Sequence, residues 1–190
     1  MATVLLFHSI LGLRAAERET AARFERGGHR VILPDLFYGR TAEGYEEGFA
    51  LRDRIGDGTI LARAEAAVAA APENAVLSGV SFGAFLVGHF WGDRPRAAGA
   101  LLFAGVAPWM SPRRAGLPVA AHLARPDPFD DEAVFENWAQ EAGDVALALH
   151  RYDGVGHSFL DRSLPGYDET AAEACLKRCL IFLNGLGTPA

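Results

Sequence analysis

Cysteine is nearly missing: the 190 residues hold two, Cys175 and Cys179. Four apart in a helical pattern, they fall one turn apart on a single face. They give no disulfide framework, and without neighbouring ligands no zinc site, so core packing is their expected role. Long hydrophobic runs are missing too. No stretch approaches the roughly 20 apolar residues of a membrane span. The first apolar run, Val4 to Phe7, has no basic leader and ends at His8 and Ser9, unlike a signal peptide. Lys and Arg are not clustered, and a formal net charge of -6 opposes binding to a phosphate backbone. Repeats, low-complexity tracts and internal linkers are absent. The expectation is one soluble, cytoplasmic domain over residues 1-185 with a loose tail at 186-190, and no nucleic acid, membrane or metal partner. A chain of this length buries around 70% of the surface its unfolded form exposes, so it needs no covalent staples.

What the chain does have is six short apolar runs, each closed by a turn signal: "TVLLFHS" (3-9), "RVILPD" (30-35), "AVLSGVS" (75-81), "AGALLFAG" (98-105), "LPVAAHLA" (117-124) and "VALALHRY" (145-152). Most are apolar at successive positions, as parallel strands covered on both faces require. Helical patterns separate most of them. Leu13, Ala16, Thr20 and Phe24 share one side of a run over 13-26, which Gly27-Gly28 ends; Ile60, Ala64 and Val68 repeat every four residues before Pro72. Further helices are expected over 83-91, 131-142 and 168-183. Strands alternating with helices predict an α/β fold: one domain with a mostly parallel sheet of about six to seven strands and helices on both faces. Two long mixed stretches, 36-57 and 106-116, read as loops after the second and fourth strands. Ligands of open parallel sheets bind at that edge, which makes Phe37, Tyr38 and Trp109 candidate pocket walls or, equally, surface aromatics plugging the core. His8 and Ser9, after the first strand, and Phe159, after the last, are further candidates for lining the site.

The pentapeptide Gly79-Val80-Ser81-Phe82-Gly83 is not decisive in a chain with 21 glycines. Its setting is informative, because Ser81 ends the third strand and directly precedes a helix. A serine there must turn the chain abruptly, and glycines at both second neighbours make room for strand and helix to approach. The plainer reading is an ordinary tight-turn serine. A serine hydroxyl needs a base to take its proton. Of six histidines, His29, His89, His122 and His150 sit at a strand entrance, in a helix or within strands. His157, in the glycine-rich "DGVGHSF" after the last strand, belongs to the same sheet edge as Ser81. The imidazole needs a carboxylate in turn. "RPDPFDDE", after the fifth strand, offers Asp127, pinned between two prolines, with Asp130 and Asp131 as alternatives that resemble helix caps. Backbone N–H groups of Phe82 and Ile10 are the expected oxyanion donors; the alternative is that "SILGL" merely starts a helix.

On "RETAARFERGGHRVILPDLFYGR", "GVSFGA", "PDPF" and "YDGVGHSFLDRSLPGYDETAAEACLKRCLIFL", the chain resembles the dienelactone hydrolase family of α/β hydrolases over nearly its whole length. The order Ser81, Asp127, His157 is also the triad order of that superfamily. The resemblance implies a small, lidless hydrolase of esters or lactones without metal or organic cofactor. The family's best-known members use a cysteine nucleophile and a glutamate in the loop after the first strand; Ser81 and Ser9 stand at those places. They also hold the substrate carboxylate with arginines, one shortly after the catalytic histidine, where this chain has Asp161 beside Arg162. The expected activity is therefore hydrolysis of a small carboxylic ester, lactone or thioester, by a monomer or homodimer. A ligand sensor without turnover and an acyltransferase are the alternatives.

Overall fold

A computed structural model describes residues 1–186. The expected loose tail at 186-190 therefore lies almost wholly outside the described residues. In chain order the elements are β1 (Thr3–Phe7), α1 (Ala15–Arg26), β2 (Arg30–Ile32), α2 (Tyr45–Ile55), α3 (Asp57–Ala70), β3 (Val76–Val80), α4 (Phe82–Phe90), β4 (Ala100–Phe103), β5 (Pro118–Arg125), α5 (Glu132–Gln140), β6 (Ala146–Asp153) and α6 (Glu169–Gly185). The strands form one six-stranded sheet in the order β2-β1-β3-β4-β5-β6. Every neighbouring pair is parallel, with Leu5 opposite Leu77 and Leu77 opposite Ala100 across the centre.

Two apolar layers follow from the alternation of side chains along each strand. Leu5, Phe7, Leu77 and Leu102 face one side, where they meet Leu51 of α2, Ile60 and Ala64 of α3, Val87 of α4 and Trp138 of α5. Val4, Leu6, Val76 and Leu101 face the other, under Phe24 of α1 and Cys175, Cys179 and Leu183 of α6. Both faces of the central strands are thus dry, which is why these runs are apolar at every position.

Helix α2 is a correction, because residues 36-57 read as a loop. Only Gly48 and Leu51 of this helix are buried, so its apolar stripe is too thin to register as a period. Gly48, a poor helix former, is kept by a close approach: a Cβ there would stand 2.8 Å from the carbonyl oxygen of Ile10. The order in which strands are added reverses between β1 and β3, whose carboxyl ends lead into Ile10 and Ser81. Ligand sites of open parallel sheets form at such a crevice.

Candidate active site

Ser81 lies between β3 and α4 with φ 52° and ψ -111°, a conformation L-residues rarely adopt. Its N–H donates to the carbonyl oxygen of Phe103 at 2.7 Å, which ties the turn to the neighbouring strand. The flanking glycines are demanded by contact. A Cβ at Gly79 would stand 2.1 Å from the carbonyl of Gly83, and one at Gly83 would stand 2.4 Å from the carbonyl oxygen of Phe7. Strand and helix therefore meet backbone to backbone, and the serine side chain is the one that emerges.

The loop after β6 carries His157 to this point. Its Nε2 is 2.9 Å from Ser81 Oγ and its Nδ1 is 2.7 Å from Asp127 Oδ2. The Asp127 side chain is wholly buried, and its other oxygen, Oδ1, accepts from the Phe129 N–H at 2.9 Å. Of the three acids after β5, Asp127 is thus the one hydrogen-bonded to His157. Asp131 occupies the N-cap position of α5 without a side-chain capping bond. Asp130 stands on the rim of the cleft, half-buried; burial and then the negative charge of Asp127 push its carboxyl pKa up. Phe129 packs edge-on against the His157 ring at 4.6 Å, and Tyr45 of α2 does so at 5.9 Å. The Tyr45 hydroxyl also hydrogen-bonds Ser158 Oγ.

The loop after β1 is held by Glu17, a buried carboxylate on α1. Its Oε1 accepts from Ser9 N–H and its Oε2 from Arg14 N–H, both at 3.1 Å. Ser9 and Glu17 border a hollow of about 30 Å³ behind Ser81, shared with His157 and Asp161 and large enough for about one water. Asp161 pairs with Arg14 at 3.4 Å. In front of Ser81 opens a cleft of about 400 Å³, bordered by Ile10, Phe82, Phe85, Phe129, Val134 and Trp138 among others. No Arg or Lys is among its lining residues, and Asp130 is the one carboxylate.

Several expected pocket walls are elsewhere. The His8 ring is fully buried: Nδ1 bonds the Ser9 carbonyl oxygen at 2.7 Å while Nε2 accepts from Leu36 N–H at 3.0 Å. It clamps two loops as a neutral imidazole, its pKa lowered by burial. Phe37 is buried against His8 and Phe82, behind the cleft. Tyr38 is 79% exposed under the guanidinium of Arg63. Trp109 stacks between Trp91 and Trp138 as core filling. Phe159 turns into the opposite layer, onto Tyr152. All belong to the right edge of the sheet, but His8, Phe37, Trp109 and Phe159 are spent on packing and Tyr38 faces solvent away from the cleft. Four other residues that line the cleft, Phe49, Phe85, Phe129 and Val134, are more than 40% exposed. Phe49 and Phe129 stand out as lone aromatics in charged segments, whereas Phe85 in an apolar helix and Val134 carry no such signal.

Among the described residues, the one group of His, Cys, Asp and Glu side chains close enough to share an ion is His122, Cys175 and Cys179, under α6. No helix among the described residues is long and apolar enough to cross a membrane.

A parallel six-stranded sheet with helices on both faces and a serine on a strained strand-to-helix turn defines an α/β hydrolase. The family model for the dienelactone hydrolases matches residues 1–186, and the chain belongs to that family of hydrolases. None of the curated proteins matches it at the sequence level. Solved structures with a similar fold include a dienelactone hydrolase-like promiscuous phosphotriesterase from metagenomic libraries, at TM-score 0.78 and 19% identity, covering 98% of this chain and 87% of that one. A dienelactone hydrolase from Anabaena variabilis follows at TM-score 0.66 and 19% identity, covering 97% and 86%. The thioesterase domain from the curacin biosynthetic pathway has TM-score 0.66 and 16% identity, covering 94% and 90%.

Proposed function

We propose that the chain is a serine hydrolase of small, neutral, apolar carboxylic esters, lactones or thioesters. The observation that carries the chemistry is the continuous chain of hydrogen bonds from Ser81 Oγ through both nitrogens of His157 to Asp127. Ser81 attacks the carbonyl carbon while His157 Nε2 takes its proton, and Asp127 keeps the Nδ1–H tautomer and stabilises the imidazolium. The developing oxyanion is held by the N–H groups of Phe82 and Ile10, two residues that border the cleft with Ser81. Phe82 opens α4, where N–H groups have no carbonyl within the helix to bond. The leaving alcohol or thiol receives the proton from His157. Water, deprotonated by the same nitrogen, then releases the acid from the acyl-serine.

The substrate class rests on the cleft lining. Among the described residues, four of the seven exposed large apolar side chains, Phe49, Phe85, Phe129 and Val134, ring one opening. A cleft without lysine or arginine and with Asp130 at its rim favours neutral acyl groups over a substrate carboxylate. Each methylene buried there is worth about 0.8 kcal/mol, or roughly fourfold in kcat/KM.

A fluorophosphonate probe with peptide mass spectrometry and a series of nitrophenyl esters test this reading. The expected results are labelling of Ser81, its loss in Ser81→Ala, kcat/KM rising from acetate to hexanoate, and weak turnover of a carboxylate-bearing analogue. Absence of label in the folded protein would overturn the reading. Tight ester binding without turnover would identify a sensor instead.

A further inference from the structure

On the sheet face away from the cleft helices, α6 presses two thiols onto β5. Cys175, Cys179 and His122 are completely buried, the two thiols in a layer with Val4, Leu6, Phe24, Leu101 and Leu183. The two Sγ atoms are 4.0 Å apart, Cys179 Sγ is 3.5 Å from His122 Nε2, and the three donor groups lie within 4.8 Å of one another. Donors bound at about 2.3 Å to one ion stand roughly 3.8 to 4.0 Å apart, so small side-chain shifts bring all three to a common centre. The imidazole is held for this task. Its Nδ1 bonds the Tyr152 hydroxyl at 2.9 Å, and its ring stacks on Phe103 and on His150. With Nδ1–H donating to the Tyr152 oxygen, Nε2 turns its lone pair toward Cys179, the arrangement that metal-binding histidines use.

We infer that His122, Cys175 and Cys179 form a three-coordinate site for a soft monovalent cation, Cu(I). Two sulfurs and one imidazole suit a soft ion that accepts three ligands, whereas zinc in such sites takes four. Charge is manageable: the guanidinium of Arg178 lies 5.2 Å from the Tyr152 ring centre, beside the cluster. Both cysteines bind the ion as thiolates, so uptake of Cu(I) releases the protons their thiols carry. Packing alone needs neither an imidazole nor a phenol in this layer; a site with a fixed ligand tautomer accounts for both. Because the donors are buried, the ion enters when α6 loosens or as the chain folds.

The test uses reduced, intact protein under anaerobic conditions. It is titrated with Cu(I) against bathocuproine disulfonate, once as folded and once after refolding with Cu(I). One equivalent should be withdrawn from the chelator, and the melting temperature should rise by roughly 5 to 10 °C at saturation. Cys175→Ala, Cys179→Ala and His122→Asn should each weaken retention about 100-fold, with ester turnover reporting that the variants are folded. Failure to retain Cu(I) after refolding would overturn the site, as would equal retention by the double alanine variant. Uptake of one equivalent of Zn(II) in place of Cu(I) would overturn the choice of ion.

Discussion

Asp127→Asn tests the proposed mechanism at its most buried member. Oδ1 of Asp127 accepts from the Phe129 N–H and Oδ2 faces His157 Nδ1. An asparagine of the same shape satisfies the Phe129 N–H only with its carbonyl oxygen, so its amide NH2 must face Nδ1. Nδ1 then has to accept, the ring proton moves to Nε2, and Nε2 points a hydrogen at Ser81 Oγ, 2.9 Å away. In that tautomer the imidazole cannot take the serine proton. The expected loss is about 10⁴-fold in kcat, roughly 5.4 kcal/mol at 1.36 kcal/mol per decade. KM should change little, because Asp127 is not among the residues lining the cleft. Nitrophenyl ester turnover measures the loss, with circular dichroism checking the fold. Asp130→Asn and Asp131→Asn serve as controls and should stay within about threefold of the parent. Retention of more than about a tenth of kcat by Asp127→Asn would refute the assignment, as would an equal loss in Asp130→Asn.

Three further outcomes are expected. Gly83→Ala drives a Cβ against the carbonyl oxygen of Phe7, backbone that cannot rotate away; a cost of about 1 to 3 kcal/mol should lower the melting temperature by roughly 2 to 12 °C. An unchanged melt would mean that strand and helix can separate there. Glu17→Gln leaves one acceptor for the two N–H groups of Ser9 and Arg14, an expected loss of about 1 to 3 kcal/mol by denaturant titration, accompanied by slower ester turnover. Full stability would show that the loop after β1 does not depend on Glu17. His150 has its pKa lowered from 6.5 to about 4 by burial and by its neighbours His122 and Arg178. The unfolded chain binds that proton below about pH 6.5 and the folded chain only near pH 4, so stability falls as pH drops through this window. Melting temperature plotted against pH should slope less in His150→Gln, and an unaltered slope would refute the assignment.

Legibility followed the range of the forces involved. The six strands and five of the helices follow from local pattern: apolar runs covered on both faces, and periods of three to four residues. Helix α2 does not, because it is recruited by Gly48 pressing on Ile10, a contact with a loop far back in the chain. The same division runs through the site. Ser81, His157 and Asp127 are each singled out by position, a serine between glycines before a helix, a histidine in a glycine-rich turn, an acid between prolines. Their spacing in the fold, and the choice of Asp127 over Asp130, depends on side-chain direction, which no local period specifies.

By itself the sequence determined the layered α/β architecture, the family and the edge at which chemistry-bearing residues gather, because hydrophobic period and turn chemistry are encoded over a few residues. Tertiary structure alone decided which aromatics face the cleft and which fill the core. It sent Phe37, Trp109 and Phe159 inward and left Phe85 and Phe129 at the opening. It also joined His122 to Cys179, 57 residues later. The physical reason is that burial and contact are settled by packing between distant segments, where residues of the same type compete for different surroundings.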